Sequence, residues 1–266
     1  MGIVIRIGHV LREITRGGLA GVVGGLIVGG IGGRIVMRIA ALANPDATGL
    51  RTENGEIVGA ITANGTLALI LFGGLAAGLV AGVVWVVIRP WIPGSGLRRV
   101  VVTMPIAVAL GGPVLVKASN PDFVILGPDG PLVAMLIGLV GVAGAAVATL
   151  DGWLDRRLPL PEAHPIRSIV VYGIVAGLGG LLAVPITLAT YFQSNLRPEA
   201  FALMGLAVVA AGVATLLSWI GRITSGEVEA MPAPVLPIVG RLGLLVAVAI
   251  GGWILLADTS AILAAE

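Results

Sequence analysis

Seven long apolar stretches alternate with short polar ones along the 266 residues, at 17–43, 66–88, 97–118, 131–150, 168–190, 198–220 and 238–257. A helix rises about 1.5 Å per residue, so roughly 20 residues cross a hydrocarbon core of about 30 Å. Within that core every backbone N–H and C=O must be paired inside the segment, which selects helices. The pattern predicts an all-α, polytopic transmembrane helix bundle of about seven glycine-rich spans. The connections are too short for a separate soluble unit, so 1–266 reads as one integral membrane domain.

The first span sets the packing. Gly17, Gly21, Gly25, Gly29 and Gly33 recur every four residues, leaving a groove without side chains along the helix. Association in lipid relies on close van der Waals contact, for which small residues at this spacing are suited. A step of four overshoots the α-helical turn by about 40°, so the stripe should wind and serve more than one neighbour. The second span repeats the device with Gly74, Gly78 and Gly82.

The polar segments supply the boundaries. Residues 1–16 place Ile3, Ile7, Val10, Leu11 and Ile14 on one helical face and Arg6, His9, Arg12, Glu13 and Arg16 elsewhere. That predicts a basic amphipathic segment at the membrane interface. A signal peptide is the competing reading, with Ala41-Leu42-Ala43 as its cleavage site. Arg34 and Arg38 oppose it, lying where a signal tolerates no charge. In 44–65, Asn54-Gly55 signals a hairpin and Asn64-Gly65 a second turn. Pro105 and Gly111-Gly112-Pro113 predict an interrupted third span. Asp258 is expected at an outer interface.

Composition narrows the class further. Charged residues make up only 11% and mean hydropathy is +1.06, outside the range of soluble domains. Cysteine is absent, which excludes disulfides, thiolate metal sites and cysteine nucleophiles. Arginine supplies all the positive charge except Lys117, and it alternates in density from connection to connection. Arg6, Arg12, Arg16, Arg89, Arg98, Arg99, Arg156, Arg157, Arg167, Arg222 and Arg241 fall on one side. Arg51, Lys117 and Arg197 fall on the other. By the positive-inside rule the N-terminus is cytoplasmic and the C-terminus outside. These charges read as orientation signals, and no nucleic-acid partner is expected.

Arg34 and Arg38 need a reason, because charge within a span is costly. One reading pairs them with Asp46, Glu53 and Glu56 of the following loop, after their stems have snorkelled to the interface. The other makes Arg34, Arg38 and Lys117 a site for a small anionic ligand or lipid headgroup, since a guanidinium offers paired donors to carboxylate or phosphate. Enzyme chemistry has little support. His9 and His164 are the only histidines and stand apart, and neither a nucleophile elbow nor paired intramembrane aspartates occur. No catalytic, metal or cofactor-binding residues are proposed.

Gly33-Arg34 to Met37-Arg38, followed by Thr52-Glu53, Val58-Gly59, Ile61-Thr62 and Gly65-Thr66, resembles a pattern in an uncharacterised family of bacterial multi-pass membrane proteins. Asn120-Pro121-Asp122-Phe123 with Gly127-Pro128 is similar to a second pattern of the same family. The resemblance implies a multi-pass protein of a bacterial-type inner membrane and carries no activity with it. Two functions follow as expectations. One is binding or transport of a small anionic or amphiphilic ligand. The other is a structural or assembly subunit packing against a partner membrane protein or a second copy of itself.

Overall fold

The computed structural model describes residues 2–52, 55, 57–120, 122–123, 129–192, 198–225 and 235–264. Among them, seven helices are long and apolar enough to cross a membrane: α1 (Ile3–Ala43), α2 (Ala63–Trp91), α3 (Gly96–Leu115), α4 (Gly130–Arg157), α5 (Pro165–Phe192), α6 (Pro198–Thr224) and α7 (Val235–Leu263). The all-α, multi-pass architecture expected from the apolar pattern is therefore present. α1 packs against α2, α4, α5 and α6, while α7 lies against α3 and α6. Only 11% of the most apolar window of α5 is buried, which makes it the most peripheral span.

At about 1.5 Å per residue, the 41 residues of α1 span roughly 60 Å, twice a hydrocarbon core. Its first turns must therefore run past the spans or tilt strongly. The segment expected at the interface continues directly into the span, since Ile3–Gly24 is one continuous α-helix. No proline or loop residue interrupts it. Arg12 and Arg16, expected on a solvated polar face, are instead buried.

The glycine stripe of α1 docks on α2. A Cβ at Gly17 would strike Val86, at Gly21 the backbone of Gly82, at Gly25 that of Gly78 and Gly74, and at Gly29 that of Gly73. At Gly33 it would lie 3.3 Å from Leu69. One neighbour thus takes the whole stripe, contrary to the expected winding. The reason lies in the backbone. Gly25–Gly32 is a π-helix and faces a second one at Leu69–Ala76 of α2. In the α-helical part each step of four advances the stripe by about 40°. The i→i+5 pattern of a π-helix has a wider turn, so the same step falls short and brings the stripe back. Other glycines of α1 serve other helices: Gly24 packs on Val147 and Gly32 on Leu139.

Two apolar clusters fill the bundle. The larger gathers Trp85, Trp91, Met204, Ala211, Ala247 and Ile254 among the helices. The smaller joins Val36, Ala40 and Leu255 to the loop residues Ala47, Val58 and Phe123, so the connections fold down onto that end. There Arg51 and Ile57 form an antiparallel bridge around Gly55, whose φ of +78° suits glycine; Asn54 lies outside the described residues. Asn64-Gly65 is not a turn before α2 but part of its first turn, capped where the Gly65 N–H donates to the Thr62 hydroxyl at 3.0 Å. The expected interruption of the third span is likewise absent. α3 stays helical through Pro105 and Gly111-Gly112-Pro113 and ends at Leu115. Leu255 packs on Gly112, and Gly251 sits against the Ala109 carbonyl, which Pro113 leaves without its helical donor. Asp258, expected at an interface, is buried within the bundle.

Candidate functional site

Arg34 and Arg38 lie one turn apart on the last turns of α1, just beyond its π-helical stretch. They open onto a groove of about 700 Å³ between α1, α2 and the 44–62 connection. Leu26, Ile31, Ile35, Leu69 and Ile70 form much of its apolar wall, and among the described residues no aspartate or glutamate lines it. Arg34 is half-buried and donates to the Thr66 hydroxyl of α2. Thr66 in turn donates to the Thr62 carbonyl at 2.8 Å. Arg38 is exposed and donates to the Gly59 carbonyl at 3.1 Å.

Neutral oxygens therefore hold both guanidiniums, and among the described residues no carboxylate pairs with either. Asp46 is exposed and forms no ion pair with them; Glu53 and Glu56 lie outside the described residues. Lys117 is not brought to this place. It follows the end of α3, half-buried, and does not line the groove. Gly17, Gly21, Gly25, Gly29 and Gly33 serve helix packing as described above. No group of three or more metal-ligating side chains occurs among the described residues.

The opposite end of the bundle holds a charge network. Asp151 of α4 is 3% exposed and accepts from Arg16 Nε at 2.9 Å and Arg89 Nη1 at 3.1 Å. Asp155, one turn on, accepts from Arg12 Nη1 at 2.8 Å and also pairs with Arg16. Glu13 takes both terminal nitrogens of Arg222, at 2.8 and 2.9 Å, together with the Trp219 indole N–H at 3.1 Å. Arg89 Nη2 approaches the same carboxylate at 3.4 Å. The network ties α1, α2, α4 and α6 together. Four guanidiniums meet three carboxylates in it, so the carboxylates are consumed within it.

Buried ions gain stability only when every partner is placed, and removing one leaves the others uncompensated. That makes this end a structural clamp. In the sequence these arginines read as orientation signals, and their partners go unnoticed. A signal was present, because Arg12 and Arg16 on one helix and Asp151 and Asp155 on another share the four-residue spacing that aligns side chains on a helical face. Near the start of α1, His9 meets Glu162 of the connection between α4 and α5 at 2.8 Å. The Glu162 carboxyl is held below its ordinary range, first by its own backbone N–H and then by His9.

No family model, no curated protein and no solved structure matches this chain.

Proposed function

We propose that this multi-pass membrane protein binds, and through binding transports, a small anionic or amphiphilic ligand in the groove at Arg34 and Arg38. One observation carries the reading: two guanidiniums a turn apart face an apolar groove, with only neutral oxygens as partners among the described residues. Charge placed at membrane depth is retained where it has work to do. Planar paired donors suit carboxylate and phosphate. In a bacterial-type inner membrane, the arginine-rich connections put the N-terminus in the cytoplasm. The groove then opens toward the outer side.

The reading is tested by thermal unfolding of the purified protein in mild detergent against a panel of anions, lipids and amphiphilic acids. A ligand that binds only the folded state raises its stability by mass action, by about 2.7 kcal/mol at a hundredfold excess over Kd. At least one anion should raise the unfolding temperature of the parent and leave Arg34→Ala and Arg38→Ala unmoved. If no anion shifts the parent, the arginines are structural.

The assembly-subunit reading finds its support on α5. The α1 stripe is already covered by α2, whereas a Cβ at Gly177, Gly179 or Gly180 of α5 would meet nothing within 4 Å. Helix α5 is therefore the face on which a partner helix would pack.

A further inference from the structure

We propose that the ligand of the Arg34–Arg38 groove is a membrane-resident, single-chain anionic amphiphile that enters sideways from the bilayer. Its phosphate or carboxylate head is held by the two arginines, and its chain lies along the π-helical stretches of α1 and α2. This rests on the binding role proposed above and adds the ligand's class and its route.

The groove is polar at one end only. Arg34, Arg38 and Thr66 stand at the level where α1 ends and α2 begins. Deeper along the two helices the lining becomes Ile31, Gly30, Leu26, Leu69 and Ile70. A water-soluble anion would have no use for that apolar length, while an alkyl chain matches it. The flanks also face outward. Ile31 is 63% exposed, and Ile35 and Ile70 are exposed as well. In a spanning helix such residues meet lipid, so the groove's open side meets acyl chains. Beside the groove α1 and α2 are in direct contact, since Gly25 and Gly29 lie on the backbone of α2. Gly30 keeps it open, because it lines the groove and a Cβ there would meet nothing within 4 Å.

Affinity measured against chain length is a poor test. Each methylene transfers about 0.8 kcal/mol of apolar surface, roughly fourfold, on entering any bilayer, whether or not the groove is used. Filling the groove separates the two effects. Gly30→Leu places a side chain into the space the chain would occupy and leaves both arginines in place.

The experiment uses the full chain in nanodiscs of neutral phosphatidylcholine. Three probes are compared: dodecyl phosphate carrying a photoreactive group mid-chain, dodecanol carrying the same group, and inorganic phosphate as competitor. The phosphate probe should label residues around Ile31, Ile35, Leu69 and Ile70 at least tenfold more than the alcohol. Arg34→Gln and Arg38→Gln should each lower that labelling about tenfold or more, as expected for loss of a charge-assisted hydrogen bond. Gly30→Leu should abolish it, and inorganic phosphate should not compete.

If inorganic phosphate competes through the arginines and Gly30→Leu changes nothing, the anion site stands and the amphiphile is refuted. Equal labelling by the alcohol, or labelling that ignores both arginine variants, overturns the anion site as well. Circular dichroism and monodispersity of each variant confirm folding. Ile70→Trp, on an exposed position at the groove, provides a second way to fill it and should give the same loss.

Discussion

Gly25→Ala tests one of the close backbone contacts between α1 and α2 with a single methyl group. The added Cβ would lie 2.5 Å from the Gly74 carbonyl oxygen and 2.7 Å from the Gly78 nitrogen, with the Gly78 Cα nearer still. Ordinary contact begins at 3.4 Å, so the shortfall at the carbonyl is 0.9 Å. All three obstacles are backbone, and no rotamer change relieves them; α1 and α2 must part. Overpacking of this kind costs about 1–3 kcal/mol. Replacing glycine by alanine in a helix returns up to about 1 kcal/mol. Gly18→Ala isolates that second term, because its Cβ would meet nothing within 4 Å. Unfolding in mixed micelles of mild and denaturing detergent, followed by tryptophan fluorescence, should find Gly25→Ala less stable than Gly18→Ala by about 1–3 kcal/mol. Equal stability of the two variants would refute the close approach of the paired π-helical stretches.

Asp151→Asn leaves Arg16 and Arg89 buried without their shared carboxylate and should cost about 3–5 kcal/mol in the same unfolding assay. Asp155→Asn should cost clearly less, because its side chain is 49% exposed and solvent screens it. The Glu162 carboxyl is lowered in the folded state, so its contribution is present above its unfolded pKa and fades as pH falls through the lower folded value. Glu162→Gln should remove that acid-side slope from an unfolding-versus-pH profile, and a slope left unchanged would argue against the contact with His9. Gly177→Ala should leave the monomer as stable as the parent or slightly more so, since none of the described residues covers that position; a marked loss would show that the face is already occupied.

The seven spans were legible because hydropathy over some 20 residues is a property of each segment alone. The partner of the glycine stripe was half legible. Gly74, Gly78 and Gly82 announced a matching surface on α2, yet the four-residue step appeared to wind because the π-helical turn belongs to the packed pair and not to either sequence. Pro105 and Pro113 pointed to an interruption that α3 avoids, as its neighbours α4 and α7 hold the helix in place. The charge clamp was hidden for a different reason. Glu13 and Arg222 are 209 residues apart and Arg16 and Asp151 are 135 apart, and each stood at a helix end where charge is ordinary. Arg34 and Arg38 were the reverse case, visible because charge inside an apolar run is costly. Lys117 shares their expected side of the membrane, but it follows the end of α3 and does not line the groove.

Native mass spectrometry of the protein released from nanodiscs that contain a few per cent of a single-chain anionic amphiphile tests the central claim most directly. One amphiphile should stay bound per parent chain, and none should survive in the Arg34→Gln/Arg38→Gln double variant. A parent that emerges bare, or a double variant that retains the same adduct, would contradict the assignment of this groove as an anion-binding site.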